Sequence, residues 1–169
     1  MRFNKISKEQ YATDFALETN ACTYDEIKLP QRATKFSAGY DIYSPCDFTL
    51  RPGDTIKFPT GINVELDPDK VLLVVPRSGH GFKYGVRLSN TCGVIDADYI
   101  NSDNEGHVWV KLHYPADYSL CDGAIWTTQK PLIVKKGDAV CQGIIMQYFT
   151  TEDDAAETER NGGFGSTSK

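Results

Sequence analysis

A chain of 169 residues is the size of one domain, long enough to bury roughly two-thirds of its unfolded surface. Hydrophobic residues make up 40% of it and charged residues 24%, and no apolar run nears the ~20 residues of a membrane span. The net charge of -5 weighs against a non-specific nucleic-acid binder, which needs a basic face, but not against a nucleotide ligand held in a small basic site.

The opening MRFNKISKEQ has no apolar core of signal-peptide length. Cys22, Cys46, Cys92, Cys121 and Cys141 are odd in number and contain no C-x-x-C pair, so reduced thiols are expected, not a disulfide framework or a zinc site. Ser7 followed by Gln10 predicts a capping box, with Ile6 and Tyr11 as its hydrophobic staple, and a helix over about 7–16. From Ile27 onward, short apolar or alternating runs are punctuated by Pro, Gly and Asp, the pattern of an all-β domain. DFTLRPGDTIKF reads as strand, turn, strand, and KVLLVV as a buried strand stopped by Pro76. HVWVKLHY alternates, with Val108, Val110, Leu112 and Tyr114 on one face. LIVKKGDAVCQGIIMQY reads as a strand pair about a Lys-Gly-Asp turn. His80, His107 and His113 lack metal-site spacing and are assigned no chemistry. TTEDDAAETE then reads as a solvated acidic linker. The expected organisation is an N-terminal helical extension (1–26), a β-domain (27–149), and a linker with a glycine-rich arm (150–169). The last stretch, RNGGFGSTSK, is either a frayed tail or a phosphate-gripping arm.

Four stretches are richer in Gly, Asp and Ser than strand connections require: SAGYD, PRSGHGFKYG, SNTCGVIDADY and KGDAVCQG. They are expected as loops. Alone, each reads as a turn; backbone N–H groups in the second can also cradle an anion. Their order carries more. AGYDIYS (38–44), PRSGHG (76–81), GVIDADY (93–99), GDAVCQ (137–142) and RNGGFGSTS (160–168) resemble the five ordered motifs of the homotrimeric dUTPases. IKLPQRAT and LRPGDTIKFPTGINVEL resemble the family's connecting text, so the resemblance spans roughly residues 27–169.

The resemblance implies a distorted jelly-roll β-barrel that trimerises, with a short N-terminal helix outside the family core and a flexible C-terminal arm exchanged between subunits. It implies hydrolysis of dUTP to dUMP and pyrophosphate, which limits uracil in DNA and supplies dUMP for thymidylate synthesis. Asp96 matches the general base and Arg77 an arginine near it. Ser78, Gly79 and Gln142 match phosphate contacts. Asp41 matches the carboxylate that holds a water of a nucleotide-bound Mg²⁺. Asn90, with the main chain of Val94 and Ile95, matches a β-hairpin that pairs with uracil, and Tyr99 the aromatic against the deoxyribose. In the arm, Phe164 can stack on the base and Arg160 can fork onto phosphate. Gly165 permits close approach, while Ser166 and Thr167 donate to the γ-phosphate. Without the motif set, Asp96 would read as a turn residue bonding its own backbone, Asp41 as a turn or ion-pair residue, and Tyr99 as core.

The chain departs from the pattern with INSDNE after Tyr99, with PADYSLCDGAIWTTQK before the fourth motif, and with the N-terminal extension. These features are reminiscent of phage and bacterial members, which implies the cytoplasm of a bacterial or phage-infected cell. No direct nucleic-acid or membrane contact is expected. Long inserted loops are often interaction surfaces, and some phage members act as regulatory partners of host proteins, so a dUTP-gated regulatory role is the alternative. A relative with the same fold, dCTP deaminase, uses a glutamate in its site and lacks GVIDADY.

Overall fold

The computed structural model describes residues 1–117, 119–121 and 124–158, with 119–121 and 124–126 described by their backbone alone. Strand β1 (Arg2–Lys5) precedes helix α1 (Lys8–Asp14). A 3-10 turn over Tyr24–Glu26 leads to β2 (Gln31–Arg32), β3 (Tyr40–Tyr43), β4 (Phe48–Leu50) and β5 (Thr55–Pro59). Next come β6 (Ile62–Glu65), β7 (Lys70–Pro76) and helix α2 (Ser78–Tyr84). They are followed by β8 (Arg87–Leu88), β9 (Gly93–Ile95), a 3-10 turn over Ala97–Asn101, and β10 (Trp109–His113). The chain continues through β11 (Ser119–Cys121), β12 (Ala124–Trp126), β13 (Leu132–Val134) and β14 (Ala139–Gln147).

The main sheet runs β2-β3-β14-β7-β9 and a second runs β5-β10-β8, with smaller pairs β1-β6, β13-β4 and β11-β12. Every strand pairing among the described residues is antiparallel, and the result is the expected all-β barrel of the jelly-roll kind. The alternation in β10 holds: Val108, Val110, Leu112 and Tyr114 are all buried. They pack with Phe58, Leu72, Val74 and Ile95 in one core. Among the described residues, no helix is long and apolar enough to cross a membrane.

Two Gly-Asp turns do less locally than their sequences imply. At each, an aspartate carboxylate accepts a backbone N–H three residues back, Asp54 from Arg51 and Asp138 from Lys135, around a glycine with φ of 90° or 86°. The flanking strands nevertheless do not pair with each other. β4 pairs with β13 and β5 with β10, while β14 lies between β3 and β7. The expected strand pair about Lys136-Gly137-Asp138 is therefore a corner between two sheets.

Two further expectations change. PRSGHGFKYG, read as a loop, contains α2, stopped by Gly85 at φ 69°; the Gly85 N–H donates to the Gly81 carbonyl and the Val86 N–H to that of His80. In α1, the Ser7 hydroxyl accepts from the Gln10 N–H at 3.0 Å as a cap should. The reciprocal half of the box is absent, because the Gln10 side chain donates to Asp14 and the Ser7 N–H to Glu105. Residues 2–5, not foreseen as strand, pair with β6 from Arg2↔Glu65 to Lys5↔Ile62, which carries Ile6 into the core at 1% exposure.

Candidate active site

One end of the main sheet gathers three of the motifs. Asp41 on β3 lies opposite Gln142 on β14, and Gln142 Nε2 donates to Asp41 Oδ1 at 2.8 Å. Gly39 leaves room for this pair, since a Cβ there would sit 3.2 Å from the Gln142 amide. β7 ends beside them with Pro76 opposite Cys141, and Arg77, Ser78 and Gly79 continue from it, all exposed. A Cβ on Gly79 would meet nothing within 4 Å, so the space beside it is open to a ligand. His80 is held below the ordinary imidazole range by burial and then by the Arg77 charge. Its Nδ1 is buried without a hydrogen-bond partner among the described residues.

The resemblance implies a hairpin within SNTCGVIDADY (89–99), but the strands on either side of its tip, β8 and β9, do not pair with each other. β8 joins β10 (Leu88↔Leu112), whereas β9 joins β7 (Gly93↔Val74). The tip is closed by Thr91 N–H to the Leu88 carbonyl at 3.0 Å and Cys92 N–H to the Asn90 carbonyl at 2.7 Å. Thr91 takes φ 67°, a left-handed conformation unfavourable for a β-branched residue. Between the arms lies a cavity of about 530 Å³, walled by Val74, Leu88, Val108 and Val110, with Ser89 and Asn90 supplying polar groups. Ile95 lines it at 2% exposure, while Val94 points the other way and is 54% exposed. Lys57 and Lys111 line the same cavity and were missed in the sequence. They oppose each other directly across β5 and β10, a like-charge pair that disfavours the ladder and leaves positive charge beside the cavity. Their outward positions were legible in the alternation, but their pairing was not.

Asp96 follows Ile95 at the far end of this segment. Its carbonyl accepts the Tyr99 N–H at 3.1 Å, and it lines a second cavity with Leu66, Pro68, Asn101 and Tyr148. Ile95 stands opposite Leu72 near the start of β7, whereas Arg77 follows the end of that strand. At ~3.3 Å per residue, Asp96 and Arg77 are therefore about 20 Å apart along β7. One chain does not bring the two together. Nor does it bring Tyr99 to either cavity. Tyr99 is core at 1% exposure, its hydroxyl donating to the His107 carbonyl at 3.2 Å and accepting from Asn104 Nδ2 at 3.1 Å. Arg160, Phe164, Gly165, Ser166 and Thr167 lie outside the described residues. Among the described residues, no cluster of three His, Cys, Asp or Glu side chains is placed to hold a metal ion. Cys22, Cys46, Cys92 and Cys141 are free thiols, and burial pushes those of Cys22, Cys46 and Cys141 upward, away from the reactive thiolate.

Comparison with known proteins agrees with the motif order. The dUTPase family model matches residues 25–112. The deoxyuridine 5'-triphosphate nucleotidohydrolase of Lactococcus lactis is 35% identical over 144 residues, which covers 83% of this chain and 88% of that protein. The crystal structure of dUTPase from Streptococcus mutans superposes with a TM-score of 0.65 at 28% identity, over 90% of this chain and 99% of that one. The dUTPase from phage phi11 of S. aureus shares the fold, with a TM-score of 0.61 at 22% identity over 93% and 96% of the two chains. With the family model spanning half the chain and this identity sustained over most of its length, the chain belongs to the dUTPase family.

Proposed function

We propose that this dUTPase hydrolyses dUTP to dUMP and pyrophosphate in a composite site, with Asp96 from one subunit and Arg77, Ser78, Gly79, Gln142 and Asp41 from another. The observation that carries this reading is the separation of about 20 Å along β7 between the two groups, too far for one nucleotide contact set. A homotrimer supplies the missing juxtaposition. The outer face of the main sheet supports it: Val94 and Met146, 54% and 48% exposed, stand in the rows of Leu73, Ile144 and Val71. An apolar face that broad is typical of an interface. The arm from 159 onward then closes a site, and the boundaries at residues 26 and 149 delimit the catalytic barrel.

In this mechanism uracil enters the cavity between β8 and β9, where Asn90 and the main chain of Val94 and Ile95 bond its edge. Unpaired polar groups left against cytosine, and crowding against the methyl of thymine, would reject both. Asp96 takes a proton from the attacking water, a role worth roughly 10²–10⁴-fold. Arg77, the Ser78 hydroxyl and the Gly79 N–H hold the phosphate chain as charge develops. The donor set fits a Mg²⁺ ion carried by the nucleotide: Asp41 offers one carboxylate, braced by Gln142, and suits an ion that keeps most of its waters. When bound, Mg²⁺ neutralises charge on the phosphate oxygens. Tyr99 is buried in the subunit core, so its contact with the deoxyribose is not part of this reading. A regulatory role through 100–105 gains no support here, since Glu105 and Asn104 are engaged within their own chain.

The test is pyrophosphate release from dUTP, dTTP, dCTP and UTP by the native chain, Asp96→Asn and Arg77→Ala. Release from dUTP alone, lost in both variants, is expected. Co-assembling the two inactive variants should then restore roughly a quarter of the sites, as random trimers pair an intact Asp96 with an intact Arg77. No recovery in mixed trimers would overturn the composite site.

A further inference from the structure

Two departures from the family pattern meet in space. Ser7, the cap of α1, donates its N–H (2.8 Å) and its hydroxyl (2.6 Å) to the carboxylate of Glu105, 98 positions further along the chain. At the other end of that helix, Asp14 Oδ2 lies 2.5 Å from Nδ1 of His107. The opposite ring nitrogen, Nε2, accepts the Gly61 N–H at 2.8 Å, and the Gly61 carbonyl accepts the Ile6 N–H at 3.1 Å. The tautomer follows from these bonds. With Nε2 an acceptor, a neutral ring carries its proton on Nδ1 and donates to Asp14. His107 is fully buried, with Phe15 stacked on it at 6.2 Å. The Glu105 carbonyl is held as well, by Asn63 Nδ2 at 2.8 Å.

These contacts clamp the far end of the loop that Asp96 begins. Within that loop the Tyr99 N–H bonds the Asp96 carbonyl, the Ser102 hydroxyl closes on the Tyr99 carbonyl, and the Tyr99 hydroxyl reaches the His107 carbonyl. Asn104 bonds the same hydroxyl, and the His107 N–H bonds the Asn104 carbonyl at 3.0 Å. Gly106 lets the backbone fold back so closely that a Cβ there would lie 2.6 Å from the Ile100 Cα. The chain from 96 to 107 thus forms one hydrogen-bonded unit. Its outer attachments run through His107 and Glu105 to the N-terminal segment.

We propose that Asp14, Glu105 and His107 are positioning residues, a latch through which the N-terminal segment holds the 96–107 loop and so aims the Asp96 carboxylate. This rests on the reading of Asp96 as the general base. Such a group must be held to within about 0.5 Å, and a misplacement of about 1 Å can lower the rate roughly 100-fold.

The experiment compares kcat and KM for dUTP, well below the melting temperature, in Asp14→Ala, Asp14→Asn, Glu105→Ala and Asp96→Asn. Exchange of the Gly61 and Ser7 backbone amides is followed in the same proteins. In the two alanine variants, kcat should fall about tenfold or more with KM within about twofold, while the released amide exchanges faster. Asp14→Asn keeps an acceptor for Nδ1–H and should recover most of the loss. A merely structural contact would lower the melting temperature and leave kcat near native. Native kcat in both alanine variants, with faster amide exchange, overturns the latch. If Asp14→Ala fails to fold, Glu105→Ala decides alone. Native activity in Asp96→Asn would instead overturn the base assignment and leave the latch without an object.

Discussion

Both ends of the chain extend beyond the barrel, and they behave in opposite ways. The N-terminal segment pairs with β6, places Ile6 and Phe15 in the interior, and bonds Glu105 and His107 across most of the sequence. The chain is exposed from Met146, near the end of β14, through residue 158, and beyond Tyr148 its hydrogen bonds among the described residues join near neighbours, such as Asp154 N–H to the Thr151 carbonyl. The difference follows from composition. Phe3, Ile6, Tyr11 and Phe15 recur at spacings that face the barrel, and their burial outweighs the entropy of ordering the segment. TTEDDAAETE has no side chain that gains by leaving water. An ordered extension can hold part of a site in place, whereas a solvated one can travel to a site elsewhere.

Four measurements would break or sharpen that contrast. The largest effect should come from Phe15→Ala, which removes a ring stacked on Tyr11 at 4.4 Å and on His107, and should lower stability by about 3–5 kcal/mol in thermal unfolding. A loss under about 1 kcal/mol would make the N-terminal segment as loosely docked as the C-terminal one. Removal of residues 159–169 comes next. Stability should stay within about 0.5 kcal/mol. Catalytic efficiency toward dUTP should fall roughly tenfold to 100-fold from lost base stacking alone. An unchanged rate would return those residues to the status of a frayed tail.

Acid should act on the ordered end. Burial, the largest influence, lowers the folded pKa of His107, against opposing contributions from Asp14 and then Glu105. Between that lowered value and the unfolded value near 6.5, the unfolded chain binds more protons, so stability rises with pH across the window. The melting temperature should therefore be highest above about pH 6.5, fall as pH drops through the window, and level off below it. His80, lowered by burial and Arg77, adds a step of the same sign, so His107→Gln should remove part of the slope and not all of it. A flat melting temperature between pH 7 and 5 in the native protein would contradict the neutral, buried ring. The smallest effect is expected from Glu152→Gln, Asp153→Asn and Asp154→Asn combined, under about 0.5 kcal/mol. A larger change would mean that the linker docks in the assembled protein.

Sequence by itself determined what depends on residue type and short-range periodicity. The inward face of β10 was legible in HVWVKLHY because side chains on a strand alternate. Ser7 was legible as a helix cap because its hydroxyl needs only an N–H three residues away. The family was legible from the order of the motifs that carry Asp41, Arg77, Asn90, Asp96 and Gln142, an order that no fold had to supply. Only the tertiary structure decided what depends on partners far along the chain. The two Gly-Asp turns became corners because each flanking strand found its ladder in a different sheet. The hairpin expected within SNTCGVIDADY opened around a cavity for the same reason. PRSGHGFKYG became a helix because Gly85 could take a left-handed φ and close it, although its glycines argued for a loop. Glu105 completed the cap on Ser7 in place of Gln10, and Asp96 and Arg77 came to opposite ends of β7, because a strand spaces its residues by length whatever the chemistry they carry.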